Sequence, residues 1–237
     1  MSFSSLGLSD NILKGIRAMG YEDPTPIQLR GIPLFLEGRD LIGSAQTGTG
    51  KTASFTLPII DILASGRARA RMPRTLILEP TRELATQVAE NFDVYGKYNN
   101  LTKALIIGGE SIDEQNKMLD KGVDVLIATP GRLLDLFERG GVLLNDVKLL
   151  VIDEADRMLD MGFIPDVKKI VSVLNKIRQT LMFSATIPSE IRMLSNTFLL
   201  NPKEISTTPT ATSSQNIEQH LVMIGTKHSK DYLAIYK

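Results

Sequence analysis

The chain has 237 residues, 43% of them hydrophobic, so it is long enough for one or two domains with a well-filled core. Its 27 basic and 27 acidic residues balance, which excludes a global charge that attracts nucleic acid or membranes. It has no cysteine, which excludes disulfides, thiol catalysis and cysteine-ligated zinc. We see no signal peptide and no apolar run near the roughly 18 residues of a membrane helix, so we expect a cytoplasmic protein without a membrane partner.

The predicted elements alternate between helices and short buried strands. Two amphipathic helices come first, Ser9–Met19, with Ser9 as its predicted N-cap, and Pro26–Glu37. Six apolar runs then predict strands, namely Asp40–Gly43, Thr75–Glu79, Ala104–Ile107, Val123–Ala128, Lys148–Ile152 and Thr180–Phe183. Helical patterns lie between them at Lys51–Ala64, Arg82–Tyr98, Gly131–Arg139 and Ile164–Leu174. This order predicts an α/β fold with a doubly wound, mostly parallel sheet and helices on both faces.

The composition of the chain changes near residue 207. Residues 207–216 read TTPTATSSQN, with no charged and no large apolar side chain, which is typical of a linker. Residues 217–237 then show a strand pattern and the first part of a helix, too little to bury a core. We therefore expect a domain at 1–206, a linker at 207–216, and at 217–237 the beginning of a second domain.

The first predicted strand is followed by a segment with P-loop spacing, with alanine where the pattern usually has its first glycine. Its glycines allow backbone N–H groups to point at a phosphate, and the next helix begins there. In that pattern the lysine reaches the terminal phosphates and the last threonine holds Mg²⁺. The predicted nucleotide-binding residues are Ala45, Gln46, Thr47, Gly48, Thr49, Gly50, Lys51 and Thr52. The alternative is a glycine- and threonine-rich turn without a ligand.

The predicted strand LLVI runs directly into Asp153, Glu154, Ala155 and Asp156. In P-loop proteins a second strand delivers an aspartate towards Mg²⁺, and Asp153 fits that role, through water. Glu154 is then the candidate general base, because the chain's two histidines, His220 and His228, lie near its C-terminus. The alternative is a solvated helix start, where acidic residues are common.

These residues spell DEAD, and residues 1–206 resemble the first RecA-like P-loop NTPase domain of the DEAD-box family of ATP-dependent RNA helicases. The opening MSFSSLGL is most similar to the bacterial RNA helicase E-like subgroup. The resemblance implies ATP and Mg²⁺ as cofactors and RNA as a partner. It also implies a second, C-terminal RecA-like domain whose arginine-rich motif completes the ATP site.

Residues 20–28, GYEDPTPIQ, resemble the Q motif of that family. The resemblance implies that Gln28 bonds the adenine edge and that Tyr21 stacks on the ring, with Phe3 as the upstream aromatic residue. A side-chain amide offers the donor and acceptor that complement adenine N6 and N7. For both aromatic residues the alternative is ordinary packing.

Three further segments resemble motifs that hold the RNA backbone in the family. Helix N-termini offer amides to phosphates without reading bases, and threonine followed by proline favours such a start. The implied RNA-binding residues are Pro80, Thr81, Arg82, Gly108, Gly109, Thr129, Pro130, Gly131 and Arg132. The alternative is a set of well-capped helices.

Ser184, Ala185 and Thr186 resemble the motif that couples hydrolysis to strand separation, through hydroxyl bonds to Asp156. The alternative is a plain turn between strand and helix. We expect the ATP-hydrolysing core of an RNA helicase, which unwinds duplexes only when it is joined to its second domain. Two other functions stay open: a DNA-directed helicase or translocase of the wider superfamily, and a non-catalytic nucleotide-binding scaffold. Competition between RNA and DNA, and turnover with and without a second domain, would distinguish them.

Overall fold

A parallel sheet forms the centre of the molecule in the computed structural model, which describes residues 2–46, 48–66 and 71–207. Within those residues its strands are β1 (Leu41–Ser44), β2 (Thr75–Leu78), β3 (Lys103–Ile106), β4 (Val125–Ala128), β5 (Leu149–Ile152), β6 (Gln179–Ser184) and β7 (Lys203–Ser206). Their spatial order is β3-β4-β2-β5-β6-β1-β7, and every neighbouring pair is parallel. All the strands therefore end at the same edge of the sheet.

Helices connect the strands and cover both faces of the sheet. They are α1 (Asp10–Ala18), α2 (Pro26–Leu36), α3 (Lys51–Leu63), α4 (Arg82–Tyr95), α5 (Ile112–Asp120), α6 (Pro130–Glu138), α7 (Ala155–Asp160), α8 (Ile164–Val173) and α9 (Ser189–Phe198), preceded by a short 3-10 turn at Phe3–Ser5. Helices α1 to α4 share one core, and α5 to α9 share the other. No helix of the described residues is long and apolar enough to cross a membrane.

The two cores follow from the alternation of side chains along each strand. In β5, Leu149 and Val151 enter the core beneath α3 and α4, whereas Leu150 and Ile152 enter the opposite one. All four are buried, as expected for a parallel strand covered on both sides. This arrangement confirms the predicted doubly wound α/β fold.

The six predicted strands and six predicted helices are all present, with ends that differ by at most three residues. Four elements were not predicted, namely α5, α7, α9 and β7. Strand β7 buries only Ile205 and exposes Lys203 and Glu204, so it lacks the apolar run that marks the other strands. Ser9 occupies the N-cap position of α1, as predicted, although its side chain makes no cap bond.

Strand β7 adds the last described edge of the sheet, beside β1. The N–H of Lys203 donates to the carbonyl of Asp40 at 2.8 Å, and the N–H of Thr207 donates to that of Ser44 at 3.0 Å. The division at residue 206 stays a prediction. The predicted linker beyond 207 and the predicted second domain at 217–237 lie outside the described residues.

Candidate functional site

A cleft of about 400 Å³ lies at the carboxyl edge of the sheet. One wall is the segment between β1 and α3, another is the end of β5, and a third is one face of α4. The Q-motif segment closes the far end through Tyr21 and Gln28. Four separate parts of the chain thus meet in one cavity. Three of them were predicted from the sequence, and the face of α4 was not.

The P-loop segment uses its glycines for backbone conformations that other residues rarely adopt. Gly48 and Gly50 both have φ of +84°. A Cβ on Gly50 would lie 2.5 Å from the side-chain nitrogen of Gln28, so glycine is needed there for space as well. Ala45 is fully buried, and its N–H donates to the Ser184 carbonyl at 3.2 Å. The small residue that replaces the usual glycine is therefore packed against β6.

The rest of this segment is ordered by its own hydrogen bonds. The hydroxyl of Thr49 donates to the Gln46 carbonyl at 2.7 Å. Helix α3 begins at Lys51, and Thr52 also lines the cleft. Thr47 lies outside the described residues.

Lys51 joins the P-loop to the acidic pair at the end of β5. Its ammonium is 3.0 Å from Asp153 Oδ1 and also hydrogen-bonds Glu154 Oε1. The three side chains are only 4%, 5% and 12% exposed, respectively, so the charges are largely shielded from water. Removing one partner of such a buried ion pair is strongly destabilising, because the other charge then stays buried without a partner.

Glu79, the residue after β2, adds a third carboxyl to the same cleft. Burial disfavours the charged form of Lys51, but Asp153 and Glu154 outweigh that effect and its pKa is raised. Burial also raises the pKa of Asp153, despite the attraction of Lys51, and raises that of Glu79 further, helped by the charge of Asp153. These shifts agree with one another because a single ammonium faces three carboxyls.

Glu154 is held in an unusual backbone conformation. Its φ and ψ are +50° and +48°, a region that residues other than glycine rarely adopt. Its N–H donates to Asp153 Oδ1 at 2.8 Å, and α7 begins directly after it. This turn directs the Glu154 side chain back over the P-loop towards Lys51, instead of along α7. Strain of this kind is common at functional sites.

Gln28 bridges the Q-motif segment and the P-loop. Its Oε1 accepts from the N–H of Thr25 at 2.9 Å, and its Nε2 donates to the Gly50 carbonyl at 3.0 Å. Thr25 is the N-cap of α2 and Gln28 its N3 residue, and together they form a capping box. An amide has two donor hydrogens and two acceptor lone pairs, so Gln28 keeps one of each for a ligand.

Three aromatic side chains surround the far end of the cleft. Tyr21 is 46% exposed and free to stack on a planar ligand, whereas Phe3 is buried in the core and contributes only an edge of the wall. The third is Tyr95 of α4, which the sequence did not indicate. Burial raises the pKa of Tyr95, and the neighbouring hydroxyl of Tyr21 raises it further.

Asp156 contacts the segment after β6. Its carboxylate accepts from both the N–H and the hydroxyl of Thr186 at 2.9 Å, and its own N–H donates to the Ser184 hydroxyl at 3.1 Å. Burial alone would raise the pKa of Asp156, but the hydrogen bonds from Thr186 and Ser184 outweigh it, and the pKa is lowered. The residues predicted to couple two sites are therefore in direct contact.

The segments predicted to hold RNA lie on the same edge of the sheet, beyond the cleft. Thr81 caps α4, because its hydroxyl accepts from the N–H of Leu84 at 3.4 Å, and Pro80 precedes it. Gly109 has φ of +85°, and a Cβ there would lie 2.6 Å from the guanidinium of Arg82. Gly109 thus lets the loop after β3 approach Arg82 closely, whereas a Cβ on Gly108 would meet nothing within 4 Å.

The third predicted RNA segment has a different local arrangement. Thr129 occupies the N-cap of α6 with Pro130 after it, as predicted, although the Thr129 side chain makes no cap bond. Arg132 donates to the Gln115 side chain at 3.0 Å and to the Glu110 carbonyl at 2.6 Å, and it is only 14% exposed. Its donors thus hold the loop after β3. Gly131 is exposed at the helix start.

Several cleft residues escaped the sequence analysis. Leu84, Gln87, Val88, Asn91 and Tyr95 lie on one face of α4 and line the cleft. Their spacing of three or four residues is the available signal, but it is also the signal of an ordinary core face. Glu79 was assigned to the end of the predicted strand Thr75–Glu79. A charged residue at the end of an apolar run was the signal that could have identified it as a cleft residue.

The chemistry of the cleft suits a hydrated Mg²⁺ ion. Thr52, Asp153 and Glu79 supply oxygen atoms around one space, and Glu79 Oε1 has no hydrogen-bond partner among the described residues. No three acidic or histidine side chains in the described ranges are close enough to ligate one ion directly. Mg²⁺ keeps several waters and needs only one or two protein carboxylates beside a phosphate, which fits this arrangement.

Comparison with known proteins agrees with this geometry. Residues 25–194 match the family model described as DEAD/DEAH box helicase. The chain is 46% identical to the ATP-dependent RNA helicase DeaD of Buchnera aphidicola from Schizaphis graminum over 224 residues, 94% of this chain and 37% of that protein. It is 43% identical to the ATP-dependent RNA helicase CshA of Limosilactobacillus reuteri, over 94% of this chain and 44% of that protein. The chain thus spans less than half the length of these relatives.

Two solved structures share the fold. The crystal structure of a DEAD box protein from Methanococcus jannaschii has a TM-score of 0.82 and 43% identity, covering 88% of this chain and 56% of that one. That of a hypothetical ATP-dependent RNA helicase from Sulfolobus tokodaii has a TM-score of 0.77 and 38% identity, covering 84% of this chain and 57% of that one.

Proposed function

Because the chain belongs to the DEAD/DEAH box helicase family, we propose that it is the ATP-binding and ATP-hydrolysing part of an ATP-dependent RNA helicase. Its activity would be that of the longer protein, with a C-terminal RecA-like domain as partner and the cytoplasm as its place of action. The nucleotide would lie in the cleft, with phosphates at the P-loop and adenine at Gln28. The assignment to the RNA helicase E-like subgroup stays a prediction.

The contact of Lys51 with Asp153 and Glu154 carries this proposal. It joins residues 103 positions apart and brings a phosphate-binding lysine, a metal-type carboxylate and a candidate base into one shielded cluster. A plain turn or a solvated helix start gives no reason for three charged side chains to be buried together. A nucleotide site gives one, since phosphates and metal need these charges.

Bound phosphates would redistribute the contacts of this cluster. Lys51 would turn towards the terminal phosphates, because an ammonium bridges phosphate oxygens as readily as carboxylates. Glu154 would then be free to accept a proton from the water that attacks the γ-phosphorus, while ADP leaves with the bridging oxygen. Mg²⁺ supplies charge neutralisation between the phosphates, and Thr52 and Asp153 would hold it, Asp153 through water.

RNA would bind beyond the cleft through its backbone. The helix start of α4, the guanidinium of Arg82 and the close loop at Gly109 support a phosphate-binding edge that reads no bases. Arg132 is occupied within the chain, so we assign it a supporting role in holding that loop. Asp156 follows Glu154 by two residues and is held by Thr186, and we propose that it transmits the state of the nucleotide.

The test compares ATP hydrolysis by this chain with hydrolysis by a version extended through its second domain, each with and without RNA. We expect the chain alone to bind nucleotide but hydrolyse it slowly, with little response to RNA and no unwinding. An arginine from a second domain contributes roughly 10³–10⁵ in rate in related phosphoryl transfers, and the described cleft has no arginine among its lining residues.

The extended protein should be stimulated by RNA and not by DNA of the same length. Equal stimulation by DNA would support a DNA-directed translocase instead. A lack of hydrolysis by the extended protein under all conditions would support the non-catalytic scaffold.

A further inference from the structure

Glu79 is a carboxyl of the cleft whose role is explained neither by a motif nor by an ion pair. It follows β2, and its N–H donates to the Ala128 carbonyl at 3.0 Å, which fixes its backbone. The residue is 1% exposed, and its Oε1 is buried without a hydrogen-bond partner among the described residues. A buried polar atom without a hydrogen-bond partner destabilises the fold. A ligand that donates a hydrogen bond to it would remove that cost.

The sheet places Glu79 beside the predicted metal carboxylate. Strands β2 and β5 are parallel neighbours, with Leu78 level with Ile152, so the next residues along, Glu79 and Asp153, are also level. The N–H of Asp153 donates to the Leu78 carbonyl at 3.1 Å, which continues the ladder to that point. Both side chains line the cleft.

Lys51 forms ion pairs with the other two carboxyls but not with this one. Its ammonium contacts Asp153 and Glu154, whereas no ion pair within the described residues includes Glu79. The cleft therefore has a buried carboxyl that lacks both a donor to its Oε1 and a contacting counter-charge among the described residues, although Lys51 attracts it from a distance. A water molecule bound to a divalent cation supplies both, because metal coordination makes its O–H groups strong donors.

We infer that Glu79 is a positioning residue of the magnesium site, where its carboxylate accepts hydrogen bonds from waters bound to the ion beside Asp153. This inference rests on the proposed nucleotide function and adds a residue to it. The two acids would come from neighbouring strands, β2 and β5, and would both face the hydrated ion. Partners of this kind typically change metal affinity by 10- to 100-fold when they are removed.

The test measures how strongly Mg²⁺ supports nucleotide binding. A fluorescent ADP analogue is bound to the chain without metal, and Mg²⁺ is then titrated for the wild type, Glu79→Gln and Glu79→Asp. Glu79→Gln keeps the size of the side chain but loses its charge, and we expect the Mg²⁺ affinity to fall by about tenfold or more. Glu79→Asp should fall less, because it keeps the charge. Affinity for the analogue without Mg²⁺ should not fall in either variant.

The control variant is Glu138→Gln, an exposed residue in the last turn of α6, which should titrate like the wild type. Thermal unfolding of each variant without ligand checks that it is folded. If Glu79→Gln does not fold, Glu79→Asp carries the test, with a threefold or larger loss of Mg²⁺ affinity expected.

Three outcomes overturn parts of the account separately. A Mg²⁺ affinity within twofold of wild type in Glu79→Gln refutes the inference. Slower hydrolysis of that variant at unchanged Mg²⁺ affinity also refutes it, because Glu79 would then act on the attacking water. If the wild-type chain binds no nucleotide with or without Mg²⁺, the proposed function fails, and the inference fails with it.

Discussion

Replacing Lys51 with methionine tests whether the charged cluster is a stabilising part of the ligand-free fold. Methionine keeps the length of the side chain and removes the ammonium from Asp153 and Glu154. At an effective dielectric constant of about 20, a pair separated by 3.0 Å attracts by about 5–6 kcal/mol before the cost of desolvation. Loss of one partner of a buried pair usually costs about 3–5 kcal/mol, because the other charge stays buried.

We expect the lower end of that range, about 3 kcal/mol near neutral pH. Without the ammonium, the carboxyls of Asp153 and Glu79 can retain protons, since burial already raises the pKa of each. A carboxyl whose pKa is raised by folding favours the folded state below its unfolded pKa, and this contribution is lost as pH rises through the folded value. The deficit of the Lys51→Met variant should therefore be smaller at pH 5 than at pH 8.

The assay is urea unfolding of the wild type and Lys51→Met at pH 5 and pH 8, followed by circular dichroism. Lys169→Met is the matched control, because Lys169 pairs with Glu138 at the exposed surface, and it should change stability little. In the double variant Lys51→Met with Asp153→Asn, part of the stability should return. A loss below about 1 kcal/mol for Lys51→Met at pH 8 would show that the cluster does not stabilise the fold, contrary to the reasoning from burial.

Three further predictions concern single side chains. Gln28→Ala should reduce the preference for ATP over GTP by several-fold in calorimetry, because a neutral hydrogen bond contributes on the order of 1 kcal/mol; an unchanged preference would contradict the adenine role of Gln28. Glu154→Gln, in the protein extended through its second domain, should bind ATP normally and hydrolyse it roughly a hundredfold more slowly or worse; normal turnover would place the base elsewhere. Thr186→Val should lower the unfolding free energy by about 1 kcal/mol at pH 7, since it removes a donor from a partly exposed Asp156. Because the pKa of Asp156 is lowered, that difference should disappear as the pH falls through it, and a constant difference would argue against the hydrogen bond as its cause.

The fold was predictable because the strands are short apolar runs buried on both faces. Leu149 to Ile152 could belong only to a covered sheet, and the polar residues after them marked its functional edge. Strand β7 was not predictable from pattern. It is an edge strand with a single buried residue, and its position depends on pairing with β1, which is distant in sequence.

The components of the site were predictable, but their contacts were not. Local spacing identified Lys51 and Asp153, because a phosphate-binding loop needs glycines at fixed offsets from its lysine. The contact between Lys51 and Glu154 spans 103 residues and depends on the left-handed backbone at Glu154, which no sequence pattern indicated. Arg132 shows the reverse case. Its charge and position predicted contact with RNA, whereas its guanidinium donates hydrogen bonds to Gln115 and Glu110 within the chain.

The central claim is that the cleft at the carboxyl edge binds adenine nucleotides through the P-loop and Gln28. The most direct measurement is calorimetric titration of the wild-type chain with ATP and with GTP, in the presence of Mg²⁺. The account predicts one site per chain, with ATP bound more tightly than GTP, and loss of triphosphate affinity when Lys51 is replaced by alanine. Absence of binding, or equal affinity for the two nucleotides, would contradict it.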